Sequence, residues 1–306
     1  MSNNDKSKLA LVTGSSTGIG FETCLALARS GFVTCATMRD KKKSGNLEKI
    51  ARNENLQIKV FDMDVDNDNS VYDTIEKIIM EFGKINVLVN NAGYGLFGAL
   101  EDFSMDEIKN QFETNVFGVI RVIRGVLPIM RQQKNGIIIN ISSLSGLAGI
   151  PTQSAYCATK FAVEGLSEAL SFELEPFGIK LILIEPGVIN TEFVNDLIVP
   201  TNKYGIDKSG TLVNPSYNNE KRHSLYLYSN TVDKFLSFYY SAMSHAPHPR
   251  VVADEIIRAI ANSSSRENGS TPLRSTVGND SKEYSKLKKG LSDRDFHELL
   301  KKNLLK

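Results

Sequence analysis

Tyr156 and Lys160 stand four residues apart in the segment 154–174, whose apolar residues recur at helical spacing. Residues with this separation lie on one face of a helix, about one turn from each other. A tyrosine hydroxyl titrates near a pH of about 10, so it exchanges protons poorly at neutral pH unless a nearby cation stabilises its phenolate. Lys160 is placed to supply that cation, which makes the pair a candidate acid/base. The pattern is short, and a surface pair on an ordinary helix is the alternative.

A glycine-rich loop follows the first apolar run of the chain. Residues 9–13 predict a short buried strand, and a helical pattern extends from the loop to Ser30. Glycines allow backbone N–H groups to approach a phosphate, and a helix N-terminus favours its negative charge. The loop is therefore a candidate phosphate site. Its residues are Gly14, Ser15, Ser16, Thr17, Gly18, Ile19 and Gly20. Ser16 occupies the second glycine position of the common G-x-G-x-x-G pattern, so the loop alone is a weak signal.

Predicted strands and helices alternate through the first two-thirds of the chain. Further strands are predicted at residues 32–38, 57–61, 85–89, 136–141 and 180–184. Alternation with helices of ten or more residues implies right-handed βαβ crossovers and a parallel sheet. The predicted fold class is therefore α/β, with a doubly wound parallel sheet.

The alternation becomes irregular after Pro186. Residues 195–250 mix polar residues with an aromatic-rich part, residues 251–261 are predicted to be helical, and residues 263–270 are predicted to form a polar loop. We expect a short strand at 274–277 to close the sheet. The Lys-rich residues 281–306 are expected to form one or two surface helices.

Composition narrows the classes of function. The chain has 306 residues, of which 41% are hydrophobic, and its formal net charge of +1 argues against nucleic acid as the main partner. Three scattered cysteines favour a reduced, cytoplasmic protein, and no Cys/His spacing suggests a metal. The polar start, residues 1–8, lacks the apolar stretch of a signal peptide, and no integral membrane segment is expected. The four histidines lie outside the motifs and are assigned to the surface or a lid. They are His223, His245, His248 and His297.

Four motifs occur in order along the chain, and together they resemble the short-chain dehydrogenase/reductase family. They are Gly14-xxx-Gly18-x-Gly20, Asn90-Asn91-Ala92-Gly93, Ile141-Ser142-Ser143 and Tyr156-xxx-Lys160. The resemblance covers residues 7–192, because Pro186-Gly187 and Thr191 also match the family pattern. It implies a single Rossmann-like domain with strand order 3-2-1-4-5-6-7. Residues 7–192 are then the dinucleotide-binding and catalytic core, 193–250 a substrate lid, and 251–306 the C-terminal helix, last strand and surface tail.

The resemblance also assigns roles to four residues. Tyr156 is similar to the family's catalytic acid/base, Lys160 to its partner, and Ser143 to the serine that holds the substrate oxygen together with the tyrosine. Asn115 resembles the asparagine that anchors a proton-relay water. The implied reaction is hydride transfer between a secondary alcohol and a ketone, or a primary alcohol and an aldehyde. A lower pKa of Tyr156, caused by Lys160 and the charge of the nicotinamide, is expected to serve the oxidative direction.

The nicotinamide cofactor is expected to be NADP(H), with NAD(H) possible. In the family, an arginine after the second strand binds the 2′-phosphate of NADP, whereas a carboxylate at that position binds the adenosine ribose of NAD. Arg39 occupies this discriminating position. Asp40 as the ribose contact is the alternative. The remaining cofactor contacts implied by the resemblance are Asp64, Val65, Asn91, Ala92, Gly93, Tyr156, Lys160, Pro186, Gly187, Val188 and Thr191, in addition to the glycine-rich loop.

The expected substrate is a lipophilic small molecule. Aromatic residues of the predicted lid could wall an apolar pocket, or could bury the core of the lid itself. They are Tyr226, Tyr228, Phe235, Phe238, Tyr239 and Tyr240. The residues around Tyr156 look most similar to the hydroxysteroid and retinol dehydrogenase branch. The alternatives are a reductase of 3-oxoacyl thioesters and a non-catalytic, nucleotide-sensing regulator. A homodimer or homotetramer is expected.

Overall fold

Seven strands form one sheet in the computed structural model, which describes residues 8–200, 227–265 and 273–306. Their order is β3-β2-β1-β4-β5-β6-β7, and every neighbouring pair is parallel. The strands are β1 Leu9–Val12, β2 Val33–Met38, β3 Ile58–Asp62, β4 Val87–Asn90, β5 Gly136–Ile141, β6 Ile179–Pro186 and β7 Arg274–Val277. The predicted fold class and strand order are confirmed.

Helices cover both faces of the sheet. They are α1 Gly18–Arg29, α2 Gly45–Asn53, α3 Asp68–Phe82, α4 Met105–Phe112, α5 Gly118–Gln133, α6 Ser154–Leu174, α7 Phe193–Asp196, α8 Ser229–Ser244, α9 Arg250–Ser265, α10 Asn279–Gly290 and α11 Asp293–Leu304. Helices α1 and α9 pack on one face, while α3, α5 and α6 pack on the other. Within the described ranges, no helix is long and apolar enough to cross a membrane.

The two cores follow from the alternation of side chains along buried strands. In β1 all four residues are buried, with Ala10 and Val12 in the core beside α1, and Leu9 and Leu11 in the core beside α3. A strand buried on both faces is apolar throughout, which is the pattern of parallel strands covered by helices. The sheet is therefore a rigid platform for the loops at its edge.

The carboxyl ends of the strands meet at one edge of the sheet. Strand β1 pairs with β2 on one side and β4 on the other, so the chain reverses its winding direction beside β1. Ligands of open parallel sheets bind at such a switch point. The loops after β1, β4, β5 and β6 carry the motifs singled out above, and the fold brings them together here.

Two predictions for the C-terminal third require correction. Residues 263–265 are not a loop, because helix α9 extends to Ser265. The end of the chain is not merely a surface tail, because Phe296, Leu300 and Leu304 of α11 are buried in a core cluster with residues of α8. His245, His248 and His297 are exposed as expected, whereas His223 and Tyr226 lie outside the described residues.

Candidate active site

Two connected cavities open at the carboxyl edge of the sheet. The inner cavity, of about 180 Å³, lies among the loops after β4, β5 and β6 and helices α8 and α10. The outer cleft lies beside it, along the loops after β1, β2, β3 and β4. Asn91, Gly93 and Phe193 line both, so a ligand as long as a dinucleotide can extend from one into the other.

The predicted cofactor residues divide between these cavities. The outer cleft is lined by Gly14, Ser16, Thr17, Arg39, Asp64, Val65, Asn91, Ala92 and Gly93. The inner cavity is lined by Ile19, Asn91, Gly93, Pro186, Gly187, Val188 and Thr191, together with Ser143, Tyr156 and Lys160. Ser15, Gly18, Gly20 and Asn115 line neither. Ser15 is fully buried, and its hydroxyl donates to the Thr37 carbonyl at 2.9 Å.

The backbone of the glycine-rich loop depends on glycine at two positions, Gly14 and Gly20. Gly14 has a φ of +64°, and a Cβ there would lie 2.8 Å from the Ala92 Cα. At Gly20 a Cβ would lie 2.3 Å from the Gly14 carbonyl oxygen. Helix α1 then begins after Thr17, whose side chain makes no capping hydrogen bond, and its first turn contains no acidic residue. N–H groups at a helix start favour an anion, so this loop fits a phosphate of a dinucleotide.

Hydrogen bonds between β1 and β4 hold the loop in place. The Asn91 side-chain amide donates to the carbonyls of Thr13 and Gly14, at 3.0 and 2.9 Å. In return, the Thr13 hydroxyl accepts from the backbone N–H groups of Asn91 and Ala92, at 3.0 and 3.1 Å. Sequence reasoning missed Thr13 as a functional residue. Its position directly before Gly14 was the available signal.

The residues after β2 place a positive charge in the outer cleft. Arg39 and Lys43 both line it, beside Asp40. The Asp40 carboxylate accepts a hydrogen bond from the Lys42 N–H at 3.0 Å, which caps the short turn Lys41–Ser44. One carboxylate oxygen of Asp40 is thus already used within the turn, while Arg39 faces the cleft.

Tyr156, Ser143 and Lys160 converge in the inner cavity. Tyr156 and Ser143 line the same cavity, and the Lys160 Nζ lies 5.6 Å from the centre of the Tyr156 ring. That ammonium donates to the Ile141 carbonyl at 2.9 Å. The geometry brings together a hydroxyl pair and a cation, as the spacing in the sequence predicted.

Burial controls the charge state of Tyr156. It raises the pKa of Tyr156 above its ordinary value, and the Ser143 hydroxyl opposes this only in part. The lower pKa expected with the charge of a bound nicotinamide stays a prediction. Burial also lowers the pKa of Lys160 to about 8, against the attraction of Glu164. Desolvation is thus the largest effect on the pKa of both side chains. Tyr156 is therefore a protonated hydroxyl at neutral pH.

Asn115 lies behind the cavity rather than in its wall. It belongs to a π-helical turn, Glu113–Phe117, between α4 and α5. Its side-chain amide donates to the Tyr94 carbonyl at 2.9 Å and to the Thr159 hydroxyl at 3.1 Å, and its carbonyl accepts from the Tyr94 N–H. Both amide hydrogens are used within the protein, so this side chain holds the Tyr94 loop and α6 in register.

Aromatic residues form much of the remaining wall. Phe97 lies edge-on to Tyr156 at 5.9 Å and to Tyr239 at 5.0 Å between ring centres, and Phe193 lies 5.9 Å from Tyr156. Of the aromatic residues predicted for the lid, Phe235, Phe238 and Tyr239 line the inner cavity. Tyr228 does not, because its hydroxyl donates to Glu101 on the outside.

The C-terminal helices also reach the inner cavity, which sequence reasoning missed. Asp280 and Tyr284 of α10 and Leu304 of α11 line it. The Asp280 carboxylate accepts from the Val188 N–H at 2.7 Å, and a Cβ on Gly187 would lie 2.0 Å from that carboxylate. No local pattern signals this contact, because the two partners lie 92 residues apart.

Residues 8–199 match the model of a family described as short chain dehydrogenase. The match covers more than half of the chain, and the chain belongs to this family, whose members are nicotinamide-dependent oxidoreductases. The resemblance drawn from the four motifs is thus confirmed.

Curated relatives agree with the family. A 3-ketodihydrosphingosine reductase of Bacteroides thetaiotaomicron is 44% identical over 189 residues, which are 62% of this chain and 66% of the relative. Retinol dehydrogenase 8 of Bos taurus is 41% identical over 198 residues, 63% of each chain. The matched part thus spans just under two-thirds of the length of these relatives.

Solved structures share the fold. A short-chain dehydrogenase from Streptomyces avermitilis has a TM-score of 0.76 and 28% identity, and the alignment covers 97% of each chain. The structure named ElxO with NADP bound has a TM-score of 0.57 and 33% identity, over 61% of this chain and 75% of that one. The first alignment covers nearly the whole length of both chains.

Proposed function

We propose that the protein is an NADP(H)-dependent oxidoreductase that interconverts a lipophilic secondary alcohol and its ketone, or a primary alcohol and its aldehyde. One observation carries this proposal. Tyr156, Ser143 and Lys160 line an aromatic-walled cavity that continues, through Asn91 and Gly93, into a cleft shaped for a dinucleotide. This arrangement supports a role for Tyr156 as the proton donor beside a bound nicotinamide ring.

The chain offers the features that a dinucleotide needs. Gly14 and Gly20 leave no room for side chains at their positions, and the first turn of α1 contains no acidic residue. Arg39 supplies the positive charge that suits a 2′-phosphate, and the related ElxO has been solved with NADP bound. When bound, the nicotinamide supplies the hydride for reduction or accepts it for oxidation.

The residues of the inner cavity handle the oxygen and its proton. The hydroxyls of Ser143 and Tyr156 donate hydrogen bonds to the carbonyl oxygen of the substrate. They stabilise the negative charge that develops on this oxygen as hydride reaches the carbon, because both donors are in place beforehand. Tyr156 then gives its proton to the oxygen. Its raised pKa keeps the hydroxyl protonated at neutral pH, which favours reduction.

Lys160 contributes a charge rather than a proton. Its ammonium is held by the Ile141 carbonyl at 2.9 Å, and in the family this lysine also binds the nicotinamide ribose. Asn115 is proposed to support the proton relay of Tyr156, and its hydrogen bonds with Tyr94 and Thr159 give it a positioning role as well.

The substrate proposed is apolar and elongated. The wall contains Phe97, Phe193 and Phe235, and the C-terminal helices add Tyr284 and Leu304. The relatives are named for a ketone of a sphingoid base and for a retinol, which are both lipophilic.

The proposed domain organisation has three parts. Residues 7–192 form the dinucleotide-binding and catalytic core, residues 193–250 form the substrate lid, and residues 251–306 form a C-terminal part that completes the cavity.

We also propose a cytoplasmic homodimer or homotetramer. The three cysteines are free and buried, as in a reducing compartment. Exposed Phe161 and Phe172 lie on the outer face of α6, with Gly165 between them. Sedimentation equilibrium of the purified protein tests the assembly, and a monomer at micromolar concentration contradicts it.

The test of function begins with titration of the purified protein with NADPH and NADH, followed by reduction of a panel of ketones. The panel contains a steroid, a retinal, an aromatic ketone, a 3-oxo sphingoid base and a 3-oxoacyl thioester. We expect tighter binding of NADPH and turnover of a lipophilic member. Turnover of the thioester alone supports an acyl reductase instead. Nucleotide binding without turnover of any member contradicts the proposal and favours a sensor.

A further inference from the structure

Two carboxylates are buried beneath the inner cavity. Glu164 on α6 is 5% exposed, and Glu185 at the end of β6 is 1% exposed. Arg274 on β7 approaches both, with its Nε 3.0 Å from Glu164 and 3.4 Å from Glu185. Its other arm pairs with the exposed Glu168 at 3.0 Å. We call Glu164, Glu185 and Arg274 the acid cluster.

The acid cluster holds more carboxylates than its arginine can neutralise. Two buried carboxylates that share one cation repel each other, so one of them takes up a proton more readily. Burial and the charge of Glu164 raise the pKa of Glu185 to about 7. Burial raises the pKa of Glu164 as well, but Ser142, Arg274 and Lys160 all act in the opposite direction. Arg274 also lies closer to Glu164 than to Glu185, at 3.0 against 3.4 Å, so Glu164 is the carboxylate that keeps its charge more readily.

Glu164 contacts the elements that carry the catalytic groups. It lies one helical turn after Lys160, on the same face of α6. It lies near Ser142, which follows Ile141, the residue whose carbonyl accepts from the Lys160 ammonium at 2.9 Å. The packing is close: a Cβ on Gly146 would lie 2.6 Å from the Ser142 Oγ and 3.1 Å from the Glu164 Cγ.

We propose that Glu164 is a positioning residue that keeps Lys160 charged at the pH of catalysis, with Arg274 holding its carboxylate in place. The inference rests on the proposed function, because it takes Lys160 to be the cation that binds the cofactor. Lys160 is 7% exposed, so its ammonium has lost most of its hydration and depends on nearby charge. The other charged groups around the cluster are Glu168 on α6 and Lys289 on α10.

The test is the pH dependence of NADPH binding, followed by nucleotide fluorescence. In the wild type we expect the affinity to fall as the pH rises through the pKa of Lys160, which is about 8 in the free protein. In Glu164→Gln the midpoint of this fall moves down by about one pH unit, since the ammonium loses its nearest stabilising charge. Glu168→Gln is the matched control, because it removes the exposed partner of the same arginine, and its midpoint stays in place.

Two further variants make the result unambiguous. Lys160→Met abolishes the fall in NADPH affinity at high pH if the titration of Lys160 causes that fall. Should Glu164→Gln not fold, Glu164→Asp shortens the side chain by one methylene, draws the carboxylate away from Lys160 and moves the midpoint in the same direction by less. A wild-type midpoint in Glu164→Gln, together with a flat profile in Lys160→Met, overturns the inference and leaves the proposed function standing. A fall that persists in Lys160→Met also overturns the inference. Failure of the wild type to bind NADPH overturns the proposed function itself.

Discussion

Replacing Arg39 with alanine separates the two nicotinamide cofactors. The guanidinium lines the outer cleft, while the neighbouring Asp40 already caps the turn at Lys42. A charge-assisted, bidentate contact with a phosphate contributes about 1.5 to 3 kcal/mol. Its loss is expected to weaken NADPH binding roughly 10- to 150-fold. The affinity for NADH, which has no 2′-phosphate, is expected to stay unchanged.

The assay is fluorescence titration of both nucleotides on the wild type and on Arg39→Ala. Lys43→Ala serves as the control, because it removes a charge from the same cleft without removing the planar guanidinium, and we expect a smaller loss. The comparison is made at low and high salt, since exposed charges are screened. An equal loss for both nucleotides, or tighter binding of NADH to the wild type, refutes the reasoning and assigns the ribose to Asp40.

Three further predictions concern the frame of the site. Gly20→Ala is expected to abolish NADPH binding, because the new Cβ would lie 2.3 Å from the Gly14 carbonyl oxygen. Gly165→Ala is the control and should bind NADPH normally, because its Cβ meets nothing within 4 Å. Equal NADPH binding by the two variants contradicts the prediction. Thr13→Val leaves the backbone N–H groups of Asn91 and Ala92 without their acceptor. The free energy of unfolding, measured with urea, should therefore fall by about 2 to 5 kcal/mol. An unchanged free energy of unfolding contradicts the role of the Thr13 hydroxyl. The pKa of Glu185 is raised from 4.5 to about 7 in the folded state, so the unfolded chain releases this proton at lower pH than the folded protein does. As the pH rises from 4.5 to about 7, the free energy of unfolding of the wild type should therefore fall by up to about 3 kcal/mol relative to that of Glu185→Gln. Parallel pH profiles of unfolding for these two proteins contradict that estimate.

The sheet could be predicted from the sequence because its strands are short, apolar runs between helical patterns. Strands β5 and β7 begin and end at the predicted residues, and the other strands differ from prediction by one or two residues at one or both ends. The secondary structure of the C-terminal part was harder to predict. The polar serines after Asn262 suggest a loop, but α9 continues to Ser265, where Ser263 is buried and its hydroxyl donates to the Ile260 carbonyl. Such local bonds let serine continue a helix.

The candidate site could be predicted where its residues are close in sequence. Tyr156 and Lys160 share a helix, and Gly14 to Gly20 form one loop, so spacing alone places them. The contact between Asp280 and the loop after β6 could not be predicted, because it joins distant segments through packing. The effect of burial on the pKa of Tyr156 could not be predicted either, because the sequence does not show how deeply the hydroxyl is buried. Desolvation is a property of the folded state.

Replacing Tyr156 with phenylalanine tests the central claim most directly. The variant keeps the ring that packs against Phe97 and removes only the hydroxyl. We expect NADPH titration to give the wild-type affinity within about twofold, and ketone reduction to fall by roughly 100- to 10,000-fold, the usual contribution of a general acid. Reduction at the wild-type rate by Tyr156→Phe, with NADPH bound normally, would contradict the account.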